Sequence, residues 1–259
     1  SIITMKRSSR ELKEIAREAL LGSYGVFALA FLIYFLISFT IEMIPMLFLK
    51  TETISGLITL QIVTFILTLL IGVLAAGFQR ISLNISRGLY SSVADLFYCF
   101  RHHPDRFIVV SFLITLISFA LQIPTLVLGI WLISTNPAYH TPLSYVVLIL
   151  LTALVMAVIA YIITLRFSLA NILLIDNPQM GAIESMKTSS DLMRGNKGRY
   201  FYLSLSFIGM MLLMFLSCGI GAIWVTPYMN MTYIQFYREV LGELDGGPRE
   251  KNYTEEFQY

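Results

Sequence analysis

Six polar side chains interrupt or end otherwise apolar stretches of this sequence: Glu42, Arg80, Asn84, Arg166, Asn171 and Asp176. A polar group within a membrane-length apolar stretch is costly, which makes it a functional candidate by default. Glu42 precedes Pro45 near the end of the first stretch. It reads either as an interfacial carboxylate beside Lys50 and Glu52 or as a proton or cation site in an outward cavity. Arg80 and Arg166 hold equivalent places at the inner ends of the second and fourth stretches. Each is explained by snorkelling to lipid phosphate. The sharper reading pairs them as a ligand site for an anionic headgroup or carboxylate, with Asn84, Asn171 and Asp176 on its polar rim. Gln61 and Gln122 fit interhelical hydrogen bonding.

Other constellations carry less. His102-His103-Pro104-Asp105, with Cys99 nearby, matches no metal-ligand spacing and reads as the end of a short interfacial helix. The sequence has no H-E-x-x-H, C-x-x-C, G-x-x-x-x-G-K-[ST] or G-x-S-x-G. Asp95, Asp105, Asp176, Glu184 and Asp191 are acids without a spacing that specifies a hydrolase. We therefore expect no catalytic residue, no metal and no cofactor. Cys99 and Cys218 fall near opposite membrane faces and read as small buried apolar residues. Phe207, Met210, Met211, Met214 and Phe215 form a soft stripe, read as lipid-facing or core, with a peptide or lipid groove as the alternative.

The elements that must position these residues follow from composition. Of 259 residues, 57% are apolar and 13% charged. A core of this size cannot hide such an excess, which excludes an ordinary soluble domain. The net charge of +2 gives no reason to expect a nucleic-acid partner. A bilayer crossing needs about 20 apolar helical residues. The stretches predict an all-α polytopic membrane protein with six spans, at about 24–49, 54–76, 107–133, 143–165, 200–217 and 220–240. Gly219 and Gly221 supply the turn between the last two. Residues 5–245 form one membrane domain, and 246–259 a flexible cytoplasmic tail. Met5-Lys6-Arg7 reads as a natural start, with residues 1–4 as an added leader.

Basic residues alternate between the links. All of the 18 Lys and Arg except Lys50 fall in the N-terminal segment, the 2–3 link, the 4–5 link or the C-terminal tail. The positive-inside rule then places both termini in the cytoplasm. Each outward-going span follows a segment of helical periodicity: Arg10–Leu20, Ser92–Arg101, and Gly181–Lys187 continuing to Arg194. These are amphipathic helices that either lie in the interface or pack under the bundle. The result is three hairpins, each preceded by a cytoplasmic amphipathic helix. Ile81–Ile85 and Phe167–Ile175 overrun the inner surface, so these apolar helix ends need cover from the short helices.

The C-terminal half carries a family pattern. Ser189-Ser190-Asp191-Leu192-Met193-Arg194-Gly195-Asn196-Lys197 precedes Phe201 and Leu205-Ser206-Phe207-Ile208-Gly209; Gly219-Ile220-Gly221, Trp224, Pro227-Tyr228, Thr232 and Phe236-Tyr237 follow. Together with Arg10-Glu11-Leu12-Lys13, Gly22-Ser23-Tyr24, Asp95-Leu96-Phe97 and Phe100, this resembles an uncharacterised family of bacterial integral membrane proteins, domain of unknown function nine-seven-five. Met210 stands where the pattern favours Trp. The arrangement is also distantly similar to the membrane domain of some glycerophosphodiesterases, without their catalytic domain. The resemblance implies a bacterial cytoplasmic membrane location and carries over no catalytic or ligand residue. The leading expectation is binding or translocation of a lipid or hydrophobic peptide. An alternative is a non-catalytic accessory or scaffold subunit of a transport or secretion complex, and a second is a lipid-modifying intramembrane enzyme. The expected partners are membrane lipids and a hydrophobic peptide or protein; a homo-oligomer stays open.

Overall fold

The structure, a computed structural model, describes residues 6–49, 54–135 and 143–245. Lys50, Glu52, the proposed leader and the C-terminal tail lie outside them. The described residues are helical, without a strand among them. In chain order the helices are α1 (Ser9–Leu20), α2 (Tyr24–Phe48), α3 (Ile54–Ser86), α4 (Tyr98–Arg101), α5 (Pro104–Thr135), α6 (Leu143–Thr164), α7 (Ala170–Asp176), α8 (Ala182–Leu192), α9 (Lys197–Leu205), α10 (Ile208–Leu216) and α11 (Ala222–Val240). Short 3-10 turns lie at Val93–Phe97, Leu165–Phe167 and Glu243–Asp245.

Among the described residues, five segments are long and apolar enough to cross a membrane: Tyr24–Pro45, Thr59–Ser86, Pro104–Leu132, Leu143–Asp176 and Lys197–Leu216. Their apolar side chains stay largely exposed, as in Phe39, Ile66, Val127, Leu154 and Leu212. A lipid solvent makes such surface unremarkable, whereas water would not. α11 falls outside this set because Asn230, Gln235, Arg238 and Glu239 dilute its apolar content. The fourth expected span is the unbroken helix α6, followed by the 3-10 turn and α7, whereas the fifth, expected as a single span, is broken between α9 and α10.

Contacts divide the chain into two compact units. The first holds residues up to 37, 77–96 and 199 onward. Within it, α1 is started by a reciprocal capping box between Ser8 and Glu11. Leu12, Ala16 and Leu20 repeat at helical spacing and are buried, and α1 packs on α11. The apolar face of α1 is thus used within the protein. The Phe27 and Phe78 rings pack at a tilt with centroids 4.7 Å apart, and Ile81, Ser82, Leu83 and Ile85 are buried. Gly77 is dictated by packing: a Cβ there would lie 1.9 Å from the Leu96 carbonyl oxygen. The turn between α10 and α11 uses Gly219 at φ +87°, after Cys218 at φ +50°. Its N–H closes onto the Met214 carbonyl at 2.9 Å.

The second unit holds residues 38–76 and 97–198. α5 and α6 pack on each other within it. α7 packs against α5 and α8, and Ala170 and Ile172–Asp176 are all buried. The apolar overrun predicted beyond the fourth span is therefore covered, in large part by α8. The segment before α5 is shorter than its two counterparts: the 3-10 turn Val93–Phe97 and the single turn of α4 replace a full helix.

Candidate functional site

The six sequence-predicted residues separate by unit and by exposure. In the first unit, Arg80 is buried at 9% exposure and Asn84 is half-buried, both on α3. In the second, Glu42 is exposed near the end of α2, and Arg166 is exposed in the turn Leu165–Phe167. Asn171 is half-buried and Asp176 buried, both on α7. The Asn171 Oδ1 atom is buried without a hydrogen-bond partner. Each unit therefore carries one arginine of the expected pair, and the two arginines differ in burial.

Sequence reasoning missed a denser charge cluster in the first unit. It lies where the chain before α1, the start of α9, the end of α3 and the end of α11 converge. Glu239, on α11, is 2% exposed. Its two carboxylate oxygens accept from Arg199 Nη2 at 2.8 and 2.7 Å, and one also accepts the Arg7 backbone N–H. Arg199 further donates to the Arg7 carbonyl at 2.8 Å. Arg7 Nη2 donates to the Leu244 carbonyl at 2.9 Å and pairs with Asp245 at 2.8 Å. Glu243 pairs with Arg87 and accepts from Arg238 Nε at 2.9 Å. Arg238 Nη1 caps the Ser86 carbonyl at the end of α3 at 2.6 Å. Four arginines and three carboxylates are thus interlocked at low exposure. Charge-assisted bonds of this kind are strong and directional. They hold these carboxylates as fixed acceptors, which suits joining chain segments better than acid–base chemistry. The sequence signal was present in Arg238-Glu239 and Gly242-Glu243-Leu244-Asp245. Its partners lie far along the chain, Arg7 being 237 residues from Leu244, and no local pattern names them.

The second unit has a smaller polar joint. Ser189 on α8 is fully buried. Its hydroxyl donates to the Arg166 carbonyl at 2.8 Å and accepts the Leu169 N–H at 3.2 Å. These bonds satisfy backbone groups released where α6 gives way to α7. Arg106 Nη1 donates to the Pro178 carbonyl and, at 2.9 Å, to the Met180 carbonyl, fixing the link before α8. The backbone at Arg166 is therefore pinned while its residue remains exposed.

The remaining candidates resolve individually. His102 stacks on Tyr98 at 3.9 Å, His103 adopts φ +53°, and Pro104 opens α5. No group of three or more His, Cys, Asp or Glu able to hold a metal occurs among the described residues. Cys99 is buried, as expected. Cys218 is exposed, contrary to expectation, because it sits in the α10–α11 turn. In the soft stripe Phe207 is core, whereas Met211 and Phe215 face outward.

Several long apolar helices with outward-facing aliphatic surface, joined to short helices whose apolar faces are packed, are the build of a membrane protein. The chain belongs to the family described as "Protein of unknown function (DUF975)", which it matches over residues 5–243. No curated protein and no solved structure matches it.

Proposed function

We propose that this chain is a non-catalytic, multi-pass protein of the bacterial cytoplasmic membrane that binds anionic lipid where the fourth span meets the cytoplasmic leaflet. In this reading α11 is the sixth span, the spans form three hairpins and both termini are cytoplasmic. The alternation of basic residues supports that orientation. The observation that carries the lipid reading is the pairing of α6 with Arg166. α6 is apolar along 22 residues and buries only Ala160, so nearly its whole length is offered to lipid. Arg166 follows directly, exposed, on backbone pinned by Ser189. A fixed cation beneath a lipid-facing helix suits an acidic headgroup whose acyl chains lie along that helix. Translocation of lipid or a hydrophobic peptide extends the same reading.

The test is native mass spectrometry of protein exchanged into mixed phosphatidylglycerol and phosphatidylcholine. Arg166→Gln should lose retained phosphatidylglycerol while keeping its unfolding temperature. Equal retention by wild type and Arg166→Gln would overturn the proposal. A stoichiometric protein on the α6 face in place of lipid would favour the accessory-subunit alternative.

A further inference from the structure

The fifth apolar segment contains a break that the lipid-binding reading does not use. α9 ends at Leu205 and α10 starts at Ile208. Two serines turn back onto the helix: Ser204 Oγ donates to the Tyr200 carbonyl at 3.0 Å, and Ser206 Oγ to the Leu203 carbonyl at 2.6 Å. Such back-bonding bends helices. The Phe207 N–H closes a tight turn onto the Ser204 carbonyl at 3.1 Å. The Phe207 carbonyl then accepts the Met211 N–H at 2.9 Å as α10 begins. Phe207 is fully buried, with Tyr228 edge-on at 5.6 Å and Tyr233 at 6.1 Å.

The break is met by α1. Lys13 Nζ donates to the Ser206 carbonyl at 2.8 Å, and the same ammonium lies 4.0 Å from the Phe207 ring centroid. Tyr228 Oη donates back to the Lys13 carbonyl at 3.4 Å. Arg10, Glu11, Glu14, Arg17 and Glu18 of α1 are exposed, whereas Lys13 is partly buried against the break. An ammonium at a carbonyl and an aromatic face gains from both. A few residues before Lys13, Arg7 is fixed to Leu244 and Asp245. The α1 region is therefore fastened at both points.

The geometry points to a latched hinge: Ser206–Phe207 is the hinge, and α1 is the strap that closes it through Lys13. With the latch made, α9 and α10 keep one bend. With Lys13 withdrawn, the Ser206 carbonyl loses this donor, the Phe207 ring loses its cation and α10 is freed to move against α9. The device stands whether or not Arg166 binds lipid.

The test is hydrogen exchange, followed by mass spectrometry, on the full chain in lipid nanodiscs. Lys13→Met keeps the aliphatic stem and removes the cation. It should speed exchange at residues 207–211 about tenfold or more, the scale set by one charged hydrogen bond. Exchange in α6 and in the C-terminal half of α11 should not change. Lys13→Arg should restore protection. Phe207→Leu removes the ring face together with its contacts to Tyr228 and Tyr233, so its reading is the double variant: adding Lys13→Met to it should cost less than in wild type. Unchanged protection at 207–211 in Lys13→Met would overturn the latch. So would equal loss of protection across the whole first unit in both Lys13→Met and Lys13→Arg, which marks a packing role. Should Lys13→Met fail to fold, Lys13→Gln removes the charge with a smaller change of shape, and unchanged exchange at 207–211 there overturns the proposal.

Discussion

Replacing Glu239 with Gln isolates the charge of one buried carboxylate. Glu239 is 2% exposed and accepts two contacts from Arg199 and one from the Arg7 backbone. Gln keeps the shape and one acceptor oxygen, but it removes the charge and turns an amide donor toward a guanidinium. Removing one partner of a buried ion pair costs about 3–5 kcal/mol. The Arg199 side chain is 24% exposed, so water recovers part of the loss and the lower end, about 3 kcal/mol, applies. At about 2–4 °C per kcal/mol for a chain of this size, the unfolding temperature should fall by about 6–12 °C. The assay is thermal unfolding followed by tryptophan fluorescence in one fixed detergent. Arg199→Met should cost a similar amount. The double variant Arg199→Met/Glu239→Leu should recover part of the sum, because no charge is left stranded. A Glu239→Gln shift within 1–2 °C (roughly half a kcal/mol), or strictly additive single losses, would refute the claim that these residues act as a clamp.

Two further outcomes follow from local geometry. Gly77→Ala places a methyl 1.9 Å from the Leu96 backbone oxygen, which forces α3 and the turn Val93–Phe97 apart; overpacking of this kind costs about 1–3 kcal/mol or more. Gly25→Ala, with nothing within 4 Å of the new Cβ, is the matched control and should be neutral or mildly stabilising in the same melt. The Ser8 backbone N–H, with the Ser8 hydroxyl second, holds the Glu11 carboxyl below its ordinary range. Its stabilising contribution is therefore present above the ordinary carboxylate pKa and lost as pH falls through the depressed folded value. The stability gap between wild type and Glu11→Gln should close on acidification, and a gap that stays constant with pH would contradict the capping role.

What could be read from the sequence was whatever period and composition encode. The periodic segment Arg10–Leu20 announced α1, and its Leu12, Ala16 and Leu20 are buried, whereas the Ser8–Glu11 capping box that starts the helix was not read from the sequence. The apolar overruns at 81–85 and 167–175 demanded cover, and both are largely buried. The break at Ser206–Phe207 was illegible because apolar content continues across it. Its cause is serine back-bonding together with a lysine 193 residues away. The clamp was illegible for the same reason: a carboxylate's value depends on which distant arginine reaches it.

This changes what the one-sided basic residues mean. By composition, Arg7, Arg87, Arg199 and Arg238 look like any other members of the positive-inside set. In the structure Glu239, Glu243 and Asp245 pair with them, so these cations serve cohesion. Arg80 is buried as well. Arg166 and Lys187 are exposed in the second unit, and Arg166 directly follows α6, a helix that buries only Ala160. A protein using its basic residues only to orient itself would have no need to neutralise four of them internally while presenting another at the foot of a bare apolar helix. Under the lipid-binding proposal, cohesion and headgroup contact fall to different arginines. Substitution at Arg199 should therefore lower stability, and substitution at Arg166 should alter lipid retention alone.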